Sequence, residues 1–221
     1  LIEIPLNRMW VGTFHGIAHR LLRIHYKIAN LSPQFQIIDK EDQLRVIKRI
    51  LKELDLSDKE CDPKEIQIRI NFWKEDGIRP EKVQLYGDSN DELALQVYKE
   101  YEGICKKSSL VDFSELLLRV YEIFSQDASI LASYRTRFQH ILVDEFQDTN
   151  KLQYKWLNLL ASQANNFFVV GDDDQSIYSW RGARVENMQN FRKHYPGYNL
   201  IRLEQNYLSL IHISEPTRRR T

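Results

Sequence analysis

Cysteine is scarce: the 221 residues contain two, Cys61 and Cys105. Their separation fits no metal-ligand spacing. It supports two reduced thiols in an intracellular protein, with a disulfide between them left open. Long apolar runs are absent too. Nothing approaches the ~18 consecutive apolar residues of a membrane span, and no secretory leader is visible, so a cytoplasmic location is the expectation. Charge of one sign is not in excess, with 31 basic and 31 acidic side chains. A global field that would draw in nucleic acid is therefore excluded, and any such contact must come from local patches. Also missing is Gly-x-x-x-x-Gly-Lys-Ser/Thr, the loop that cradles phosphates and supplies a neutralising lysine. What remains is an ordinary globular mixture, 43% hydrophobic and 28% charged. It is long enough for one large domain or two small ones with a sizeable core. The first residue is Leu1 rather than Met, as in a fragment.

The most informative stretch is the apolar run 141–143 leading into Asp144-Glu145-Phe146-Gln147-Asp148. A short apolar run ending in adjacent carboxylates reads as a buried strand that delivers acids to a sheet edge. Hard cations such as magnesium take oxygen ligands. Hydrolysis of a nucleoside triphosphate needs one carboxylate for the metal and another to orient water. A second run, 167–170, ends in Gly171-Asp172-Asp173-Asp174-Gln175. Two strands ending in acidic loops point to a nucleotide site along one edge of a parallel sheet. Tyr178 and Trp180 lie two residues apart, so on extended backbone they face one way. Paired aromatic faces can stack successive bases, and Arg181 beside them can meet a phosphate or stack as a cation.

Around these motifs the pattern alternates. A strand is expected at 9–13 and a helix at about 16–26. Further helices start at the Asp39 cap and at Asp62-Pro63, the latter ended by Gly77 and Pro80. Others cover 93–105 and the segment opened by Asp112 and Glu115, read as a capping box. Residues 14–138 are thus nearly all helical. From 139 the order becomes strand (141–143), helix (151–161), strand (167–170), helix (184–194), strand (200–203), which implies an α/β fold with a parallel sheet. The strand at 9–13 is expected in that same sheet, with the helical block as an insertion. Lys48, Arg49, Lys52, Arg69 and Lys74 read mostly as a solvated face. His15 and His19 have the i, i+4 spacing of a zinc clasp, but Gly16 stands where the metalloprotease motif needs Glu, so zinc is discounted.

Four segments carry a family resemblance: 12–16 (Gly-Thr-Phe-His-Gly), 142–150, 170–183 and 203–207. Together they resemble the UvrD/Rep/PcrA family of superfamily 1 DNA helicases over about residues 9–207. The resemblance implies a RecA-like motor domain of the P-loop NTPase type, its phosphate loop upstream of residue 1, interrupted by a large helical subdomain. Residues 1–13 and 139–207 would belong to the motor, and 14–138 to the insertion. It implies Mg2+ and ATP at Asp144, a water-polarising Glu145, Gln175 near the terminal phosphate, and Tyr207 against adenine. It further implies contacts to single-stranded DNA from Thr13, Phe14, His15, Tyr178, Trp180 and Arg181. The partners implied are single strands and junctions of single- and double-stranded DNA, together with unidentified repair proteins.

The resemblance stops at Tyr207. The family pattern continues with Arg; this chain has Leu208, and residues 208–221 match nothing in the family, as a foreign tail would. The activity implied for the parent is ATP-driven 3′ to 5′ translocation and unwinding. The segment itself, lacking the phosphate loop, is expected to bind ATP weakly and not to unwind. Two alternatives stand beside this reading: a helicase–nuclease subunit of the AddA or RecB kind, and a non-catalytic DNA-binding module descended from a motor.

Overall fold

A computed structural model of the protein describes residues 9–56, 61–85, 89–162, 166–172 and 186–202. Helices α1 (Phe14–Ile24), α2 (Lys40–Glu53), α3 (Pro63–Glu75), α4 (Ser89–Ser108), α5 (Phe113–Gln126) and α6 (Ala128–Arg137) fill the first two thirds. Strand β3 (His140–Val143), helix α7 (Lys151–Leu160), strand β4 (Asn166–Val169) and helix α8 (Glu186–His194) follow. Two very short strands, β1 (Gln36–Ile37) and β2 (Leu110–Val111), pair in parallel inside the helical region.

Local chemistry sets the helix starts. Asp39, Asp62, Asp112 and Asn150 each accept a backbone N–H of the first turn, which removes one of the orphan donors at a helix N-terminus. Pro63 occupies the first turn of α3, where its missing N–H costs nothing. Asn150 and Gln153 cap each other's backbone to open α7.

Packing then sorts the helices. One core gathers Leu21 and Leu22 of α1, Leu117 and Phe124 of α5, Ile130 and Tyr134 of α6, and Leu152 and Trp156 of α7. A second joins α2, α3 and α4 through Ile47, Ile50, Ile70, Trp73 and Tyr98. A third, formed by Val143, Phe146, Tyr154, Leu157 and Phe191, seats β3 and its following turn on α7 and α8.

An ion network ties the first two cores together. Lys74 Nζ lies 2.7 Å from Asp112 Oδ2 and 2.9 Å from Glu115 Oε2. Arg79 reaches Glu115, Glu102 and Glu122, and Arg119 pairs with Glu115. Two sequence expectations change here. Lys74 does not belong to a solvated face: it is 1% exposed, because α5 brings two carboxylates to it. Glu115 does not complete a capping box. Asp112 caps α5 through the Glu115 N–H, while the Glu115 carboxylate turns to the three cations.

Strands β3 and β4 are parallel, with Ile141 opposite Phe167 and Val143 opposite Val169. This is the mixed helix–strand architecture expected, with a smaller sheet among the described residues. Residues 9–13 are not a strand. Trp10 turns inward against Tyr134 and Phe138 while Met9 and Val11 are exposed, yet no neighbouring chain among the described residues supplies the hydrogen-bond ladder. Residues 200–202 likewise form no strand, and Leu200 and Ile201 lie exposed. No helix among the described residues is long and apolar enough to cross a membrane.

Candidate functional site

Strand β3 ends at Val143, and the chain turns sharply through Asp144 and Glu145. Glu145 sits in the left-handed region, φ 50° and ψ 44°, a conformation that residues with a Cβ rarely adopt. Its N–H donates to Asp144 Oδ1 at 3.0 Å. The turn is clamped to the next strand by two backbone bonds: Val170 N–H to Val143 O (2.8 Å) and Phe146 N–H to Val170 O (2.9 Å). Phe146 is fully buried beneath, edge-on to Tyr154 and Phe191. So a rigid, apolar-anchored turn holds two exposed carboxylates at the C-terminal end of a parallel strand pair. In open α/β sheets that is the end at which ligands bind.

A cavity of about 940 Å³ opens between β3 and the 9–15 segment. Asp144, Glu145, Thr13, Phe14 and His15 all line it, so the structure brings these five sequence-selected residues together. Each N-terminal member already has local work. Thr13 Oγ1 caps α1 by accepting the Gly16 N–H at 3.1 Å. Phe14 is half-buried, edge-on to Trp156 at 5.5 Å. The His15 ring meets Phe113 edge-on, and burial lowers its pKa, which favours the neutral imidazole near pH 7. His19 accepts from Arg23 Nε at 2.9 Å, so the two imidazoles of the discounted zinc pair are engaged separately. Gln175, Tyr178, Trp180, Arg181 and Tyr207 lie outside the described residues.

Among the described residues no three His, Cys, Asp or Glu groups converge as a metal cage. Asp144 stands exposed with one neighbouring carboxylate, Glu145. That suits a magnesium ion that keeps several waters and draws its other ligands from phosphates, as Mg2+ sites in nucleotide enzymes commonly do. Two groups escaped the sequence reading. Asp148 lines the same cavity with its Oδ1 buried and, among the described residues, without a hydrogen-bond partner. Gln147 is buried directly behind Glu145. Both lie inside the 144–148 acidic motif, but nothing in sequence distinguishes a buried amide from a solvated one.

The fold is a mixed helix–strand domain with an acidic turn at the end of a parallel strand pair, and comparison with known proteins gives the family. The chain belongs to the UvrD/REP helicase family, whose N-terminal domain matches residues 2–196. It is 52% identical over 205 residues to DNA helicase II of Escherichia coli (strain K12), covering 93% of this chain and 28% of that protein. Over 208 residues it is 43% identical to a probable DNA helicase II homolog of Rickettsia conorii, covering 92% and 32%. Over 202 residues it is 40% identical to the ATP-dependent DNA helicase PcrA of Bacillus subtilis, covering 91% and 27%. The chain thus spans less than a third of the length of these curated relatives.

Proposed function

We propose that the chain is part of an ATP-dependent DNA helicase that moves 3′ to 5′ along one strand and separates duplexes during DNA repair or replication. Residues 1–13 and 139–207 form part of a RecA-like motor domain, and 14–138 a helical subdomain inserted into it. Helices α1, α5, α6 and α7 share one buried core across the 138/139 boundary. The observation that carries the proposal is the exposed Asp144–Glu145 pair on its clamped turn at the end of the β3–β4 pair.

In this reading Asp144 holds Mg2+, directly or through water. The ion would neutralise phosphate charge as it builds up during transfer. Glu145 polarises the attacking water. Gln175 lies near the terminal phosphate, where an amide can donate and accept at once. Tyr207 stacks on adenine. Trp180 and Tyr178 stack unpaired bases, Arg181 meets the backbone, and Thr13, Phe14 and His15 contribute further DNA contacts. Backbone and stacking contacts fix position without reading sequence, which suits a translocating motor. The names of the relatives, DNA helicase II and ATP-dependent DNA helicase PcrA, support the same activity.

The test is hydrolysis and strand separation by the longer protein that carries this segment. ATP turnover should rise steeply with single-stranded DNA, and duplexes with a 3′ single-stranded tail should unwind in preference to those with a 5′ tail. Absence of DNA stimulation, or a 5′-tail preference, would overturn the assignment.

A further inference from the structure

Gln147 is 2% exposed, and its amide is used at both ends. Nε2 donates to Glu145 Oε2 at 2.5 Å. Oε1 accepts the backbone N–H of Asp172 at 3.1 Å. Left-handed backbone at Glu145 reverses the chain, so that its carboxylate meets the side chain two residues on. Gly171 and Asp172 follow β4, and Gln175, Tyr178 and Trp180 come next in the sequence. Gly171 leaves room for this arrangement. A Cβ there would fall 2.8 Å from Gln147 Oε1, so the Gln147 side chain would have to shift.

We propose that Gln147 is a positioning residue. Its amide fixes the water-polarising carboxylate of Glu145 and makes that placement depend on the backbone of the Gly171–Asp172 loop. Few side chains can do this. A carboxylate lacks the donor, an aliphatic chain lacks both groups, and asparagine is one methylene shorter. The bond is charge-assisted, and its donor, the Gln147 amide, is buried. In sequence, Asp172 is followed closely by the residues assigned to unpaired DNA. Gln147 therefore joins the Gly171–Asp172 backbone to the carboxylate assigned to hydrolysis. This inference rests on the role proposed for Glu145.

The test uses the longer protein carrying this segment and compares Gln147→Leu, Gln147→Glu, Gly171→Ala and Glu145→Gln in DNA-stimulated ATP hydrolysis. Misplacing a reacting group by about an ångström costs on the order of 100-fold. Gln147→Leu and Gly171→Ala should therefore lower kcat about 10- to 100-fold and leave KM for ATP within about threefold. Gln147→Glu sets a second carboxylate against Glu145, so the acid limb of its kcat profile should move to higher pH. A solely structural role would lower the thermal midpoint without this split or this pH shift. If Gln147→Leu does not fold, Gly171→Ala and Gln147→Glu decide. A dead Glu145→Gln beside Gln147 and Gly171 variants within twofold of wild type overturns this proposal alone. Unchanged turnover in Glu145→Gln overturns the reading beneath it, and the proposal with it.

Discussion

Replacing Lys74 with methionine removes the central cation of the buried network and leaves a side chain of similar length. The Lys74 side chain is 2% exposed, and its partners Asp112 and Glu115 are 4% and 6% exposed. Burial alone would depress the ammonium, but Asp112 and Glu115 outweigh it and hold its pKa well above the ordinary lysine range. Removing one partner of such a pair costs about 3–5 kcal/mol, because the remaining charge is stranded without water. The lower end applies here. Glu115 keeps Arg79 and Arg119, and Asp112 keeps the Tyr101 hydroxyl at 2.8 Å and the Glu115 N–H. We expect a loss of about 3 kcal/mol, which lowers the midpoint of a domain this size by roughly 6–12 °C. Urea unfolding of the chain, followed by circular dichroism, measures it through the denaturation midpoint at unchanged slope. Adding Asp112→Asn should recover part of the loss, since the amide still caps α5 but carries no stranded charge. A single-variant loss below about 1 kcal/mol, or a double variant worse than additive, would refute the reasoning.

Two further outcomes follow from the same structure. Burial raises the Glu115 carboxyl, but Lys74, Arg79 and Arg119 outweigh it and hold it well below the carboxylate range. Its contribution is fully present above the unfolded value of about 4.3 and is lost as pH falls toward the folded one. Glu75 and Glu102, raised chiefly by burial, act in the opposite sense. Urea midpoints between pH 7 and pH 3 should thus fall less steeply in Glu115→Gln than in wild type, and parallel curves would remove the argument. In the longer protein, Trp180→Ala should weaken single-stranded DNA binding by about 1–3 kcal/mol, the contribution of one stacked base. Fluorescence anisotropy of a labelled oligonucleotide measures this, and unchanged affinity would rule out stacking.

What sequence revealed was local. Caps at Asp39, Asp62 and Asp112 were legible because an Ncap bond closes within three residues of its own side chain. The β3 and β4 runs, and the acids at their ends, were legible because each strand is a short apolar block followed by polar residues. What sequence could not show depends on partners distant along the chain. Periodicity marked the apolar faces of α1 and α5 but not that α7, beyond β3, covers them. Strands β1 and β2 have two residues each, too few to carry an alternation. The segment 9–13 begins with a short apolar run, as a strand can, yet pairing is decided by a neighbour. Lys74 looked solvated because lysine usually is, and only the placement of Asp112 and Glu115 keeps it inside. Gln147 was one residue among five in an acidic motif until its two hydrogen bonds were seen.

The most direct measurement of the central claim is single-turnover ATP hydrolysis by the longer protein bearing Glu145→Gln, with ATP affinity determined in parallel. A positioned general base contributes about 10²- to 10⁴-fold. The account predicts a fall of that size in the hydrolysis rate, with ATP affinity within a few-fold of wild type. A hydrolysis rate within threefold of wild type would contradict it.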